Sequence, residues 1–178
     1  VLNQKIYLIH FMKQKKINFS HYLNYFPELE LPITLGEETH HAFSQKNEPL
    51  PALAIQQFIL PLENEEEVDE LTEYVPCFKI PKTDGFHAIV YWKAGLLNYQ
   101  YMLVTYELKG ELIDQRVIAG TFSDGKSMTN SVATIEEDWM IYVVTGHSAN
   151  ANEVYDAGDS TTIDLEILPD GSIINALG

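Results

Sequence analysis

Residues 118–127, IAGTFSDGKS, have the spacing of a phosphate-binding loop. Gly120, Gly125, Lys126 and Ser127 fit G-x-x-x-x-G-K-[ST], in which backbone N–H groups and the lysine hold phosphate oxygens. That chemistry requires a helix to begin directly after the Lys-Ser pair, so that its amino end faces the phosphates. The next residues, MTNSVATI, favour a loop followed by a strand instead. The sequence favours a glycine-rich connection, and these four residues are its ligand-binding candidates.

Two further segments have residue types that bind metals. Residues 37–41, EETHH, contain the Glu-x-x-His spacing of carboxylate-bridged metal bundles, but Gly36 and the preceding proline-bearing segment indicate a loop. Residues 147–162 are rich in oxygen ligands of the kind that suits calcium, without the ordered pattern of a calcium loop. We predict a surface loop at 147–162, no metal site and no cofactor.

Candidate catalytic side chains are scattered along the chain. Ser123, Asp124 and His147 could supply a nucleophile, an orienting acid and a base, but Ser123 is not in the strand-to-helix turn that exposes a catalytic serine. Asp84 lies near His87 across a turn, which favours His87 as an ordinary strand residue. We therefore predict no catalytic residues, and we favour a function other than catalysis.

The net charge of the chain limits the classes of partner that it is expected to bind. The chain has 26 Asp and Glu against 11 Lys and Arg, a net charge of -15. Nucleic acids and anionic membranes are disfavoured as partners, because both require clustered basic side chains. The acidic residues concentrate between Asn47 and Phe78, where eight occur and no basic one. Such a run is usually a solvated helix face, and its alternative role is contact with a basic protein. The residues predicted for that contact are Glu65, Glu66, Glu67, Asp69, Glu70 and Glu73.

The chain after residue 78 has the pattern of an antiparallel meander. Residues 86–93 are apolar on both faces, as in a central strand. Residues 99–108 and 111–119 flank Lys109-Gly110, a hairpin turn that places Met102 opposite Val117 and Tyr106 opposite Ile113. Four more strands are predicted at 131–135, 139–145, 161–168 and 172–175. Short connections between consecutive strands imply antiparallel pairing.

One face of this hairpin carries Tyr101 beside Arg116, and two interpretations stay open. The first is an exposed aromatic and charged surface that binds a protein partner. The second is a pair of Asp114 and Arg116 packed beneath the amino-terminal helices.

The amino-terminal part is predicted to be mainly helical. Residues 51–59 start with a proline suited to a first helical turn and end before Pro61, and Asn64 begins a second short helix ending near Tyr74. Residues 28–35 alternate as an edge strand. The predicted fold is α+β, with short amino-terminal helices on an antiparallel meander of six to eight strands, forming a twisted sheet or small sandwich. It is one domain over 1–178, comprising a loose extension at 1–17, a mainly helical part at 18–77 and a β part at 78–178.

The remaining features concern location and function class. Cys77 is the single cysteine, which together with the short apolar run at the start favours a cytoplasmic, soluble protein; a secreted form with its signal removed stays open. The leading hypothesis is a binding or protein-interaction domain, in one version an acidic inhibitor of a basic protein, as immunity proteins are. The alternative is a small-ligand-binding protein or enzyme that uses loops 120–130 and 146–160 for a nucleotide or calcium. A sugar-binding domain is a third hypothesis, suggested by the many aromatic residues.

Overall fold

The residues that the structure describes fold around a single antiparallel sheet of nine strands. The computed structural model describes residues 16–64, 71–96, 98–148 and 160–176. Within these ranges the strands are β1 Ile33–Leu35, β2 Glu73–Lys79, β3 Phe86–Ala94, β4 Asn98–Glu107, β5 Leu112–Ser123, β6 Met128–Ile135, β7 Met140–Ser148, β8 Thr161–Ile167 and β9 Ile173–Asn175. The helices are α1 Phe19–Leu23, α2 Thr39–Lys46 and α3 Ala52–Ala54, and α3 continues as a π-helical turn, Ile55–Ile59, and a 3-10 turn, Leu60–Leu62.

The sheet is the meander that the sequence predicts. Strands β2 to β9 lie in chain order, each antiparallel to the next, and β1 pairs with β6. The α+β class and the meander are confirmed, but the described residues form nine strands instead of six to eight. The additional strand is β2, whose first residues, Glu73 and Tyr74, were predicted to end a helix. They pair with Ala94 and Lys93 of β3, because pairing with a central strand overrides weak local helix preference.

The helices differ from the prediction in number and extent. The helical segment after Pro51 is confirmed, although it continues through Pro61 to Leu62. Neither α1 nor α2 was predicted, and α2 includes His40 and His41, which were expected in a loop. Both helices are short, with Tyr22 buried in α1 and Phe43 buried in α2. Packing of such side chains against the sheet stabilises helices that propensity alone does not. Most of the second predicted helix lies outside the described residues.

The register of β4 and β5 follows the prediction over its middle part. Met102 lies opposite Val117 and Thr105 lies opposite Asp114, as expected. A bulge beyond Thr105 shifts the pairing by one residue, so Tyr106 lies opposite Leu112, and the predicted pairing with Ile113 is wrong. Met102 and Tyr106 are buried, whereas Val117 is 50 % exposed.

Two hydrophobic cores pack against opposite faces of the sheet, one with residues of all nine strands and one over β2 to β4 alone. The helix-side core joins α1 and the segment 52–62 to one face of β3 and β4, where Ile89 and Tyr91 alternate with residues of the other face. The inner core takes the opposite face of the sheet, with side chains from all nine strands and Phe43 of α2. Because β3 is buried on both faces, its middle residues 88–92 are apolar without interruption, as the central-strand prediction requires.

The sheet curls so strongly that β9 contacts β5. Four strand spacings separate these strands in sheet order, which would be about 19 Å in a flat sheet. Instead, Asp114 Oδ2 accepts a hydrogen bond from the Ile173 N–H at 3.0 Å, and Arg116 Nη2 donates to the Ile173 carbonyl at 3.3 Å. The buried Thr105 hydroxyl donates to the Gly171 carbonyl at 2.6 Å. The turn between β8 and β9 therefore closes one end of the inner core.

Candidate functional site

An aromatic cleft of about 290 Å³ opens near the opposite end of β3 from this closure. Its floor consists of residues from β3, β4 and β5: Trp92, Tyr99, Tyr101, Gly120 and Thr121. Its wall is the start of α2 and the two residues before it: Glu37, Glu38 and His40. We refer to these eight residues as the aromatic cleft. Because Trp92 and Tyr101 also belong to the inner core, the cleft is the part of that core that reaches solvent.

Three rings of the cleft stack on one another. The His40 ring lies parallel to the Trp92 ring, with centroids 4.1 Å apart and an interplanar angle of 4°. The Tyr99 ring is also parallel to Trp92, at 5.9 Å and 3°. Trp92 is only 8 % exposed, whereas Tyr99 is 47 % exposed. Tyr99 therefore presents aromatic surface to solvent at the end of a stack that is anchored in the core.

Hydrogen bonds fix the wall of the cleft to its floor. The Tyr101 hydroxyl donates to the Gly36 carbonyl at 3.0 Å, and the Gly36 N–H donates to Thr39 Oγ1 at 3.0 Å. His40 Nδ1 lies 2.7 Å from the Glu37 carbonyl oxygen. Burial raises the pKa of the Tyr101 hydroxyl above its ordinary range, so it stays protonated and can donate this bond. The ring of His40 is thereby held flat on Trp92.

The far end of α2 is attached to β2. Asn47, which follows the helix, donates from Nδ2 to the carbonyls of Pro76 and Cys77, at 2.7 Å each. Phe43 packs against Phe78, with ring centroids 5.7 Å apart. Cys77 itself is a free, buried thiol, and burial raises its pKa, which makes it a core residue and not a nucleophile. Both ends of α2 are thus fixed, and the wall of the cleft is preformed.

Gly120 lets two strands approach closely under the cleft. Its φ is 144°, a conformation that residues with side chains rarely adopt. A Cβ atom at this position would lie 2.0 Å from the carbonyl oxygen of Tyr99. The glycine is therefore required by the backbone that carries Tyr99, which explains its presence without reference to a phosphate group.

The cleft is negative at its rim. Glu37 and Glu38 are exposed, and Glu38 Oε2 lies 3.2 Å from His41 Nε2. None of the described residues that line the cleft is a lysine or an arginine. Carboxylates beside exposed aromatic surface favour a positively charged group over an anion.

The residues of the phosphate-loop pattern do not have the strand-loop-helix arrangement that the motif needs. Gly120 is within β5, and residues 124–127 form the turn to β6. Asp124 Oδ1 accepts hydrogen bonds from the N–H groups of Ser127 and Lys126, at 2.7 and 2.8 Å. These bonds, that from Ser127 first, lower the pKa of Asp124. A strand and not a helix follows Ser127, as the sequence predicts, so these N–H groups hold a carboxylate of their own turn. Ligand binding by Gly125, Lys126 and Ser127 stays a prediction.

The catalytic and metal candidates are engaged elsewhere. Ser123 Oγ accepts a bond from the Gly125 N–H at 3.2 Å, and His147 Nδ1 lies 3.1 Å from Thr129 Oγ1. His87 is a strand residue, as predicted, and burial lowers its pKa. In the ranges that the structure describes, no three His, Cys, Asp or Glu side chains are grouped as a metal ion would require. The calcium hypothesis concerns 147–162, of which residues 149–159 lie outside the described residues.

The predicted interaction residues that the structure describes do not lie together. Glu65, Glu66, Glu67, Asp69 and Glu70 lie outside the described residues. Glu73 is exposed at the start of β2. Tyr101 is 1 % exposed and lies in the floor of the cleft, while Arg116 holds β9 through Ile173, so these two do not form a shared exposed surface. The second interpretation of the hairpin is not shown either, because Arg116 is exposed and both Asp114 and Arg116 bind β9 instead of packing beneath helices.

A buried ion pair joins the acidic segment to the sheet. Glu63, the first acidic residue after the helical segment, pairs with Lys93 Nζ, and both side chains are almost fully buried. The Tyr91 hydroxyl donates to the other carboxylate oxygen of Glu63 at 2.9 Å. Burial, followed by the nearby Glu63 charge, raises the pKa of Tyr91. Glu63 is thus a structural residue and is not available to a partner.

Sequence reasoning did not identify the aromatic cleft. The available signals were the tyrosines and tryptophans of β3 and β4, interpreted as packing, and the pair His40-His41, considered for metal. No pattern in the sequence joins His40 to Trp92, because they are 52 positions apart. Comparisons with protein-family models, with curated proteins and with solved structures found no match. Within the described residues, no helix has the length and apolar character needed to cross a membrane.

Proposed function

We propose that the protein is a non-enzymatic binding domain whose ligand enters the aromatic cleft. The observation that carries this proposal is the His40, Trp92 and Tyr99 stack, which ends in a half-exposed ring beside two carboxylates. Aromatic surface with a few polar groups at the mouth of a curled sheet is typical of ligand sites. The floor and wall are fixed by packing and hydrogen bonds, which lowers the entropic cost of binding.

The polar groups of the cleft favour binding over catalysis, because they stack, hold backbone carbonyls or are exposed to solvent. The His40 ring stacks on Trp92 and its Nδ1 faces a backbone carbonyl. The Tyr101 hydroxyl holds the Gly36 carbonyl. Glu37 and Glu38 are exposed, whereas a carboxyl that acts as a general acid near neutral pH usually lies in an apolar environment. These groups therefore position a surface, which suits recognition.

The acidic-inhibitor version has partial support. A net charge of -15 would attract a basic protein, and Glu73 is exposed. However, Glu63 is buried against Lys93, so contact through the acidic run would depend on residues 65–70. Support for the alternative site in loops 120–130 and 146–160 is smaller, because Asp124 is occupied by its own turn. The cleft is the better candidate.

A ligand panel with a matched pair of variants tests the proposal. The panel contains arginine amide, glucose, ADP and calcium, and binding is measured by NMR shifts of the Trp92 indole N–H and by thermal unfolding. Tyr99→Leu removes exposed aromatic surface in the cleft, and Tyr142→Leu removes a tyrosine of similar exposure on β7, outside the cleft. A ligand at a hundred times its Kd adds about 2.7 kcal/mol to the free energy of unfolding.

We expect at least one ligand to shift the Trp92 signal, and its binding to be weakened about threefold or more in Tyr99→Leu and unchanged in Tyr142→Leu. Ligands that bind both variants equally would contradict the proposal. Shifts confined to residues 123–128 on addition of ADP would instead support the loop alternative.

A further inference from the structure

We infer that the aromatic cleft binds the guanidinium group of an arginine side chain presented by a basic protein. This inference rests on the proposed function of the cleft, and it names the chemistry of the ligand. Four features of the site carry it: its charge, its parallel rings, its size and the overall charge of the molecule.

The charge of the cleft selects a cation. Glu37 and Glu38 stand side by side at its rim, and the described lining residues include no lysine or arginine. An anion such as a phosphate would be repelled by both carboxylates. A neutral sugar can donate hydroxyl hydrogen bonds to these carboxylates, but it gains no attraction between net charges. A cation gains Coulomb energy from both carboxylates. The ion-pair partner that the structure shows for them, His41 on Glu38, lies outside the cleft lining.

The rings of the cleft favour a planar cation. Cations are attracted to the faces of Trp and Tyr rings, and a guanidinium group can also stack flat on such a face. The rings of Trp92 and Tyr99 are parallel to within 3° and Tyr99 is half-exposed, so aromatic surface is accessible to a ligand at this stack. A stacked guanidinium has its N–H groups in the ring plane, directed outwards, where carboxylates can accept them in pairs. An ammonium group lacks this planar match.

The size of the cleft suits one side chain. Its volume of about 290 Å³ lies at the lower limit of small-molecule sites, which is roughly 300 Å³. An oligosaccharide or nucleotide would extend far beyond the described lining residues, whereas an arginine head group and its stem would be accommodated.

The source of the arginine is a partner and not this chain. Arg116 is the only arginine in the sequence, and it is bound to the carbonyl of Ile173. Free arginine has a single net positive charge, whereas a basic protein carries many, so a molecule of net charge -15 attracts the protein more strongly. A basic protein brings the guanidinium group without that carboxylate and is attracted by the whole acidic surface.

The experiment compares arginine with citrulline, which has the same shape but a neutral urea in place of the guanidinium group. N-acetyl-arginine amide and N-acetyl-citrulline amide are titrated into the full chain by calorimetry at low salt. We expect citrulline amide to bind about tenfold more weakly, because it lacks the charge. Binding of arginine amide should also weaken severalfold between low and high salt, because the carboxylates are exposed.

Three cleft variants and two matched controls locate the site. Tyr99→Leu should weaken the binding of arginine amide about three- to fivefold, whereas Tyr99→Phe, which keeps the ring, should retain most of the affinity. The double variant Glu37→Gln and Glu38→Gln should weaken it about fivefold. Tyr142→Leu and the double variant Glu48→Gln and Glu111→Gln change similar exposed residues outside the cleft, and they should leave the affinity unchanged.

The outcomes separate this inference from the proposed function. Equal binding of the two amides, with both weakened in Tyr99→Leu, would overturn the cation preference and leave the cleft as a binding site. If arginine amide does not bind while glucose or ADP enters the cleft, the cation preference is again overturned and the cleft is still a binding site. If no ligand of any class enters it, both proposals fail.

A last comparison tests the source of the arginine. An acetylated and amidated peptide, Gly-Gly-Arg-Gly-Gly, should bind at least as tightly as arginine amide if the cleft accepts a residue within a polypeptide. If this peptide does not bind while arginine amide does, the proposal of a protein partner is overturned and a free organic cation is identified as the ligand.

Discussion

Single residues determine whether the cleft exists at all, and Gly120 is the clearest example. Its substitution by alanine would place a Cβ atom 2.0 Å from the Tyr99 carbonyl oxygen, at a φ of 144°. We expect Gly120→Ala to lower the free energy of unfolding by more than about 2 kcal/mol and to displace Tyr99. Gly125→Ala is the control, because its φ is 84° and no atom lies within 4 Å of the added Cβ, which limits the loss to about 1 kcal/mol. Urea unfolding of both variants checks this, and equal losses would contradict it.

The buried pair of Lys93 and Glu63 is a second residue-scale determinant. Lys93→Met leaves the Glu63 carboxylate buried without its cation, and such losses cost about 3–5 kcal/mol. The double variant Lys93→Met and Glu63→Gln removes both charges and should be more stable than Lys93→Met alone. Lys79→Met breaks the pair with the largely exposed Glu28 at 3.7 Å and should cost less than about 1 kcal/mol. If Lys93→Met unfolds in urea like Lys79→Met, the pair does not have this role.

At the scale of elements, β9 depends on side chains of a strand that is not its neighbour in the sheet. Asp114→Ala removes the acceptor of the Ile173 N–H, which should cost about 1–3 kcal/mol and speed hydrogen exchange at Ile173. Asp138→Ala is the control, because Asp138 accepts only a local bond from the Met140 N–H at 3.2 Å among those described. Exchange at Ile173 that is equally slow in both variants would show that β8 alone holds β9.

The same elements show what sequence can predict here. Alternation and Asp-Gly or Lys-Gly turns determine most strands, and the turn at Lys109-Gly110 predicts the central register of β4 and β5. The bulge beyond Thr105 leaves no local signal, so the prediction fails there. The helix α2 and the cleft escape prediction for a related reason. Both depend on contacts such as Tyr101 with Gly36, across 65 positions, which no short pattern contains.

At the scale of the whole molecule, one curled sheet serves two cores with different tasks. The inner core takes side chains from every strand and ends in the aromatic cleft. The helix-side core contains Tyr22, Tyr91 and Tyr106, whose hydroxyl groups are buried with their rings. Since the helix-side core needs no contact with the cleft, it can stabilise the fold while the inner core supplies the binding surface. The buried hydroxyl groups make that stability sensitive to alkali.

Burial raises the pKa of Tyr22, Tyr91 and Tyr106 above the ordinary value of 10.0. The unfolded chain therefore loses these protons at lower pH than the folded protein, so the stability they contribute is complete below pH 10 and is lost as the pH rises further. We expect absorbance of tyrosinate to show these groups titrating only as the protein unfolds. In urea all ten tyrosines should titrate together. Tyr106→Phe keeps the ring and removes one hydroxyl, so its unfolding should depend less steeply on alkaline pH. Reversible titration of all ten near pH 10, with near-ultraviolet circular dichroism unchanged, would contradict a buried tyrosine cluster between the helices and the sheet.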